Sequence, residues 1–173
     1  RIIQQGAPGE DWQPNSHSTK IDYQTNTLYD VLLLSVGISG DLRNDIGSGD
    51  ISSGKRYYKP NELYKNVIKD ENGNTGNLHT TAEYKDKADR VVMKRSYVMV
   101  SGVETKVETY YVYDDFGLLR YVLSPLATSL VTFPATKAST IIKNLGYYYE
   151  YDSRHRMVMK QIPGADSILM VYD

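Results

Sequence analysis

The chain has no cysteine, and only two phenylalanines, one tryptophan and three histidines among 173 residues. Without cysteine there is no disulfide, no zinc–thiolate centre and no thiol nucleophile. Disulfide-dependent secretion is thereby excluded, while the cytosol and the exterior both stay open. The histidines, His17, His79 and His155, have none of the local spacings that set two metal ligands on one element. A long apolar run is missing too. "VLLLSVGI" (31–38) is far too short to cross a bilayer, so no membrane span is expected. With 20 basic against 21 acidic residues, neither sign dominates, and no basic cluster suggests a nucleic-acid partner. The chain starts at Arg1 with no basic-then-apolar leader, so any targeting information is expected to lie outside it.

What the chain has in quantity is tyrosine, 16 residues of it. Tyrosine suits half-buried strand surfaces, where the ring packs and the hydroxyl reaches water or a backbone partner. Several of these tyrosines precede an aspartate at the mouth of a turn. Aligned on Asp, five partial copies stand out: "IKDENGN" (68–74), "YKDKADR" (84–90), "VYDDFGL" (112–118), "EYDSRHR" (150–156) and a terminal "VYD" (171–173). The Asp positions are 70, 86, 114, 152 and 173, too irregular for a strict solenoid. The unit they imply is a strand, a four-residue turn and a returning strand.

Asp at the first turn position accepts a hydrogen bond from the backbone two residues on. Gly at the fourth favours a left-handed conformation, as in a type I turn closed by a bulge. That fourth position holds Gly73, Asp89, Gly117 and His155, and Asp and His are among the non-glycine residues most tolerant of positive φ. The returning strands agree as well: "RVVMK" (90–94) and "RMVMK" (156–160) are nearly identical, "LLRYV" (118–122) is looser, and "RIIQQ" (1–5) has the same form. The first lacks its outgoing strand and the last, Tyr172-Asp173, its return, so the chain reads as cut from a longer array.

Elsewhere the signals are coarser. Residues 7–18 form a Pro/Gly/Ser/Asn-rich loop, "TKIDYQT" (19–25) a strand and "LYDVLLLSV" (28–36) a more buried strand. Turn-formers crowd "SGDLRNDIGSGDISSGK" (39–55), which predicts a long mobile loop. One short helix is expected near 136–145, capped by Thr136 or Ser139 and stopped by Gly146.

"YVYDDFGLLRYV" and "YEYDSRHRMVMKQIPG" resemble the YD-repeat family, also called Rhs repeats, whose motif is a recurring Tyr-Asp, a turn centred on Gly, then Arg or Asn. The repeat-motif positions are Asp70, Gly73, Tyr84, Asp86, Arg90, Tyr113, Asp114, Gly117, Tyr151, Asp152, Arg156, Tyr172 and Asp173. The resemblance covers 61–173 well and the lead-in, 1–60, more weakly. Lys69 and Lys85 depart from the motif Tyr, and Asp89 and His155 from the motif Gly. The resemblance implies a secreted or cell-surface bacterial protein in which such repeats form a β scaffold or shell. Its cargo, often a toxin, and its C-terminal core would be carried by further parts of the same chain. It also admits a carbohydrate or cell-surface contact.

Catalytic and ligand motifs are weak. "GDISSGKR" (49–56) supplies Gly49, Gly54 and Lys55 of a phosphate loop, but Arg56 stands where Ser or Thr should bind magnesium. "DENGNTGN" (70–77) alternates oxygens like a calcium loop, yet Thr75 and Thr81 replace the required Gly and Glu. The acidic residues that can be placed do turn work, which leaves no evident acid–base pair. The expectation is a mainly β fold of repeated antiparallel hairpins in an extended twisted sheet, sandwich-like or an open barrel. It is expected to be non-enzymatic and to hold no cofactor or metal. The rival is a sugar-binding module using exposed Tyr57, Tyr110 or Tyr148. Open strand ends predict dimerisation or strand exchange through 1–5 or 168–173.

Overall fold

The computed structural model describes residues 1–13, 17–45, 47–72 and 76–173. Gly73, with the Asn-Gly turn expected around it, lies outside the described residues, as do residues 14–16 of the N-terminal loop and Ile46. The chain is mainly β. Ten strands follow one antiparallel order, and two small hairpins stand apart from it. The residues gather into two compact units: 1–27 with 60–108, and 28–59 with 109–173. Residues 28–59 therefore fold with the C-terminal hairpins, not with the lead-in that precedes them.

In the first unit, β1 (Gln4–Gly6) pairs with β2 (Ser18–Thr25), and a 3-10 turn at Glu10–Trp12 lies between them in sequence. Residues 28–59, which belong to the other unit, carry β3 (Ser35–Val36), β4 (Leu42–Arg43), β5 (Asp50–Ser52) and β6 (Lys55–Tyr57), and the first unit resumes with β7 (Tyr64–Lys69). The strands β7, β8 (Thr80–Lys85) and β9 (Val91–Val100) then run as a meander beside β2. Burial along β8 alternates, with Thr80, Ala82 and Tyr84 inside, as one covered face demands. Asn26, 1% exposed, clamps the re-entry of the chain: its Oδ1 accepts the Leu63 amide at 2.7 Å. Arg95, also buried, donates to Glu108 Oε1 at 2.8 Å and to the Tyr84 hydroxyl at 2.8 Å.

In the second unit, the two small hairpins are β3–β4 and β5–β6. The main strands are the end of β10 (Val103–Tyr113), β11 (Leu119–Leu123), β12 (Gly146–Tyr151), β13 (Met157–Gln161) and β14 (Ile168–Leu169), each paired with the next. Two helices, α1 (Pro125–Leu130) and α2 (Thr140–Leu145), fill the β11–β12 connection. The core takes in Val31, Leu42, Val112, Tyr121, Leu123 and Ile142, each no more than 1% exposed.

Three expectations need correcting here. Residues 39–45 and 47–55 do not make one long loop, since they carry β4, β5 and the start of β6. Asn44 Nδ2 donates to the carbonyls of Leu33 and Arg56 at 2.9 and 2.8 Å, while its Oδ1 accepts the Arg56 amide at 2.8 Å. That buried amide makes three bonds to two backbone positions, Leu33 and Arg56, and β4, β5 and β6 form around it. The expected strand at 28–36 survives only as Ser35–Val36, with an isolated bridge from Leu32 to Tyr57. Among the described residues there are two α-helices, not one. Ser139 does cap α2, accepting the Ile142 amide, and Gly146 ends it. The unexpected α1 starts at "SP": Ser124 caps it through the Ala127 amide and Pro125 takes its first turn, where no amide hydrogen is needed.

Candidate functional site: the Asp turns and their tyrosine staples

Three hairpins share one turn geometry. Asp86, Asp114 and Asp152 each accept, through Oδ1, the amides two and four residues on, at 2.9 to 3.1 Å. The fourth turn residue donates its amide back to the Asp carbonyl in each case, at 3.0, 2.9 and 3.0 Å. It also has a positive φ: 61° at Asp89, 78° at Gly117 and 60° at His155. The expected type I turn with a left-handed fourth residue is therefore present three times. Beyond the turn the ladder slips at one place in every copy, between Tyr84 and Lys85, Val112 and Tyr113, Glu150 and Tyr151.

Arginine locks two of these turns. Arg90 Nε donates to Asp86 Oδ2 and Arg156 Nε to Asp152 Oδ2, both at 2.8 Å. The Arg156 amide, with its guanidinium, holds the Asp152 carboxyl below the usual carboxylate range. In the third turn Leu118 occupies the Arg position, and Arg120, two residues later, reaches Asp114 at 3.4 Å.

The motif tyrosine does a different job. Tyr151 Oη donates to the Leu119 carbonyl at 3.0 Å, and Tyr172 Oη to that of Met157 at 2.8 Å. Leu119 and Met157 each lie five residues after their own Asp, so each bond ties one hairpin's outgoing strand to the return strand of the hairpin before it. The Arg156 guanidinium stacks over the Tyr172 ring at 4.5 Å. A third copy of this pattern went unrecognised in the sequence: Tyr23 Oη donates to the Ile2 carbonyl at 2.9 Å, with Arg1 stacked 4.9 Å from its ring. Arg1-Ile2 thus occupies the place of Arg156-Met157. Tyr23 was missed because Gln24, not Asp, follows it.

Asp70 keeps only part of the pattern. It accepts the Asn72 amide at 2.9 Å, but its own amide donates to His79, at 3.1 Å. Lys69 faces Thr80, so residues 70–79 join the two strands. This connection lies at the opposite end of β8 from Asp86, out of phase with the other copies. Tyr84 is a core residue between Lys65 and Arg95, and Lys85 stands before the Asp instead, 3.1 Å from Asp89. Tyr113 sits before Asp114, opposite Leu119, and Asp173 is exposed at the end of the last copy.

The three tyrosines expected to meet a sugar are placed differently from that expectation. Tyr110 and Tyr148 are 2% and 3% exposed, so neither offers a ring face. The Tyr110 hydroxyl accepts the Leu32 amide at 3.3 Å. The Tyr148 hydroxyl accepts from Arg120 at 3.1 Å and donates to Glu150 at 2.9 Å, and Lys137 in turn pairs with Glu150. Burial would raise the Glu150 carboxyl, but the Lys137 and Tyr148 bonds outweigh it and hold it below its usual range. Burial, the largest influence, raises the Tyr148 phenol. These groups bond to one another, which suits cross-bracing. Tyr57 is half-buried and meets Tyr29 edge to face at 5.6 Å.

The segment once compared with a phosphate loop is the β5–β6 hairpin, turning through Ser53 and Gly54 at φ 50° and 72°. Its Lys55 and Arg56 line a hollow of about 640 Å³ with Leu130, Phe133 and Pro134, and no helix follows it. Among the described residues, no group of three or more His, Asp or Glu is placed to hold a metal ion, and no helix is long and apolar enough to cross a membrane. Comparison with protein-family models, curated proteins and solved structures finds no match.

Proposed function

We propose that this chain is a non-enzymatic segment of a YD/Rhs-type repeat array, part of a β scaffold or shell in a secreted or cell-surface bacterial protein that encloses or displays cargo such as a toxin. One observation carries the reading: the Asp turn recurs three times, and at two seams the Tyr before one Asp bonds the carbonyl five residues after the preceding Asp, so that one hairpin holds the next. In such an array Asp makes the reversal and Tyr makes the seam, and neither is spent on a ligand. A sugar-binding role would have to rest on Tyr57 and Tyr29, because Tyr110 and Tyr148 are buried. Electron microscopy of the complete gene product tests the proposal. The expected image is a continuous wall of hairpins around a lumen; a lone module attached to a separate catalytic domain would refute it.

A further inference from the structure

The hollow beside the β5–β6 hairpin lies wholly within the second unit, lined by residues 44–45 and 51–56 from one stretch of chain and 129–134 from another. Both stretches are pinned. The Arg56 amide donates to Asn44 Oδ1 at 2.8 Å, and the Arg56 carbonyl accepts the Leu33 amide at 2.9 Å and Asn44 Nδ2 at 2.8 Å. On the other stretch, Val131 is buried, and Ala135 exchanges both backbone bonds with Leu42, at 2.7 and 2.9 Å. A preformed hollow of about 640 Å³ falls in the size range of small-molecule sites. Its charge is one-sided. Among the described lining residues Lys55 and Arg56 are the bases and Asp45 is the acid. Asp45 is already matched, because Arg43 Nε and Nη2 donate to its two oxygens at 2.8 and 2.6 Å. Lys55 is exposed and makes no ion pair among the described residues. Arg56 Nη1 donates only to a neutral group, the Gly49 carbonyl at 3.3 Å, and its Nε is buried with no partner. The same hollow shows apolar side chains to water: Ile51 is 61% exposed and Leu130 50%, with Phe133 and Pro134 alongside.

We propose that this hollow binds a small carboxylate with an apolar body, the carboxylate meeting Lys55 and Arg56 and the body covering Ile51, Leu130 and Phe133. A guanidinium fork matches a carboxylate in geometry and charge, and the incoming oxygens supply the charged acceptor that Arg56 lacks. The two cations alone would suit inorganic phosphate as well, in keeping with the Gly-Lys spacing of 49–55. The aliphatic wall decides between them. A fatty or aryl acid removes Ile51 and Leu130 from water, whereas a phosphate gains nothing there and loses hydration. The inference goes beyond the repeat-array reading and does not depend on it, since no turn aspartate or staple tyrosine lines the hollow.

Octanoate is the probe, titrated into the isotope-labelled chain and followed by amide chemical shifts. Binding should saturate in the millimolar range expected of so small a ligand, with the largest shifts at Ile51, Lys55, Arg56 and Leu130. Acetate lacks the body, octanol lacks the charge and inorganic phosphate lacks the apolar match; each should bind about ten-fold more weakly or worse. Lys55→Gln and Leu130→Ser, both at exposed side chains, should each weaken octanoate by about five-fold or more. The rest of each variant's spectrum should stay that of the folded parent. No saturable shift at those amides, phosphate binding as tightly as octanoate, or an affinity unmoved by either substitution would each overturn the proposal.

Discussion

Replacing Asp114 by Ala removes the group that shapes the central turn. Its Oδ1 accepts the Phe116 and Leu118 amides at 3.1 and 2.9 Å, and its Oδ2 lies 3.4 Å from Arg120. A net hydrogen bond contributes about 1 kcal/mol and somewhat more when the acceptor is charged. The contact to Arg120, at 3.4 Å, is long for an ion pair and adds no more than about 0.5 kcal/mol. Water can reach the orphaned amides of a surface turn, so the expected loss is about 2 kcal/mol, comparable to losing a strong helix cap. Asp114→Asn keeps the Oδ1 acceptor and should lose less than half as much. Asp115→Ala, at the exposed neighbour, should stay within about 0.5 kcal/mol of the parent. Urea unfolding measures all three as midpoint shifts at unchanged slope. If Asp114→Ala matched the parent, or Asn were no better than Ala, the turn would not depend on that carboxylate and the reasoning would fail.

Three further outcomes follow from the same contacts. Gly117→Val should lose about 2 kcal/mol or more in urea unfolding, because a β-branched residue is strained at φ 78°; a neutral result would mean the turn can change type. Arg95→Ala removes the two bonds Glu108 accepts from Arg95 at 2.7 and 2.8 Å, leaves it with Lys106 at 3.4 Å, and should cost about 2 kcal/mol by the same assay; a loss under half of that would show the pair is dispensable. Burial above all, and then Tyr148, raises the Tyr121 phenol. The folded state therefore keeps a proton that the unfolded chain gives up near pH 10, so this contribution is intact below about pH 10 and fades as the pH climbs above it. Tyr121→Phe should flatten the alkaline fall of the unfolding midpoint, and an unchanged slope would count against that origin.

The Asp turns were legible in the sequence because everything they need is local. Asp, the two amides it binds and the left-handed residue lie within five positions, so Asp114 and Gly117 could be placed without knowing what packs on them. Asp70 shows the limit of that reasoning. Its bond to the Asn72 amide is made as expected, but the span of the turn is set by the Lys69–Thr80 pairing, which no local pattern reveals. The staples were invisible for a similar reason. Tyr151 and Leu119 come together across a connection that holds two helices, and α1 is a single short turn whose "SP" start reads equally as a loop. Alternation along β10 and β12 told which side chains share a face but not which face is covered, so Tyr110 and Tyr148 were mistaken for surface residues. The misjudged 39–55 segment turned on one side chain, Asn44, whose partners lie 11 and 12 residues away.

The central claim is that the tyrosine of a Tyr-Asp pair, Tyr151 or Tyr172, fastens its hairpin to the one before. Residue-resolved amide hydrogen exchange on Tyr151→Phe, compared with the unaltered chain, tests it most directly. With the Tyr151–Leu119 bond gone, protection should fall along the β11–β12 seam, at Tyr121 to Leu123 and Gly146 to Tyr148, while the Asp152 turn amides of Arg154 and Arg156 keep theirs. Unchanged protection at the seam, or an equal fall at the seam and the turn, would contradict the account.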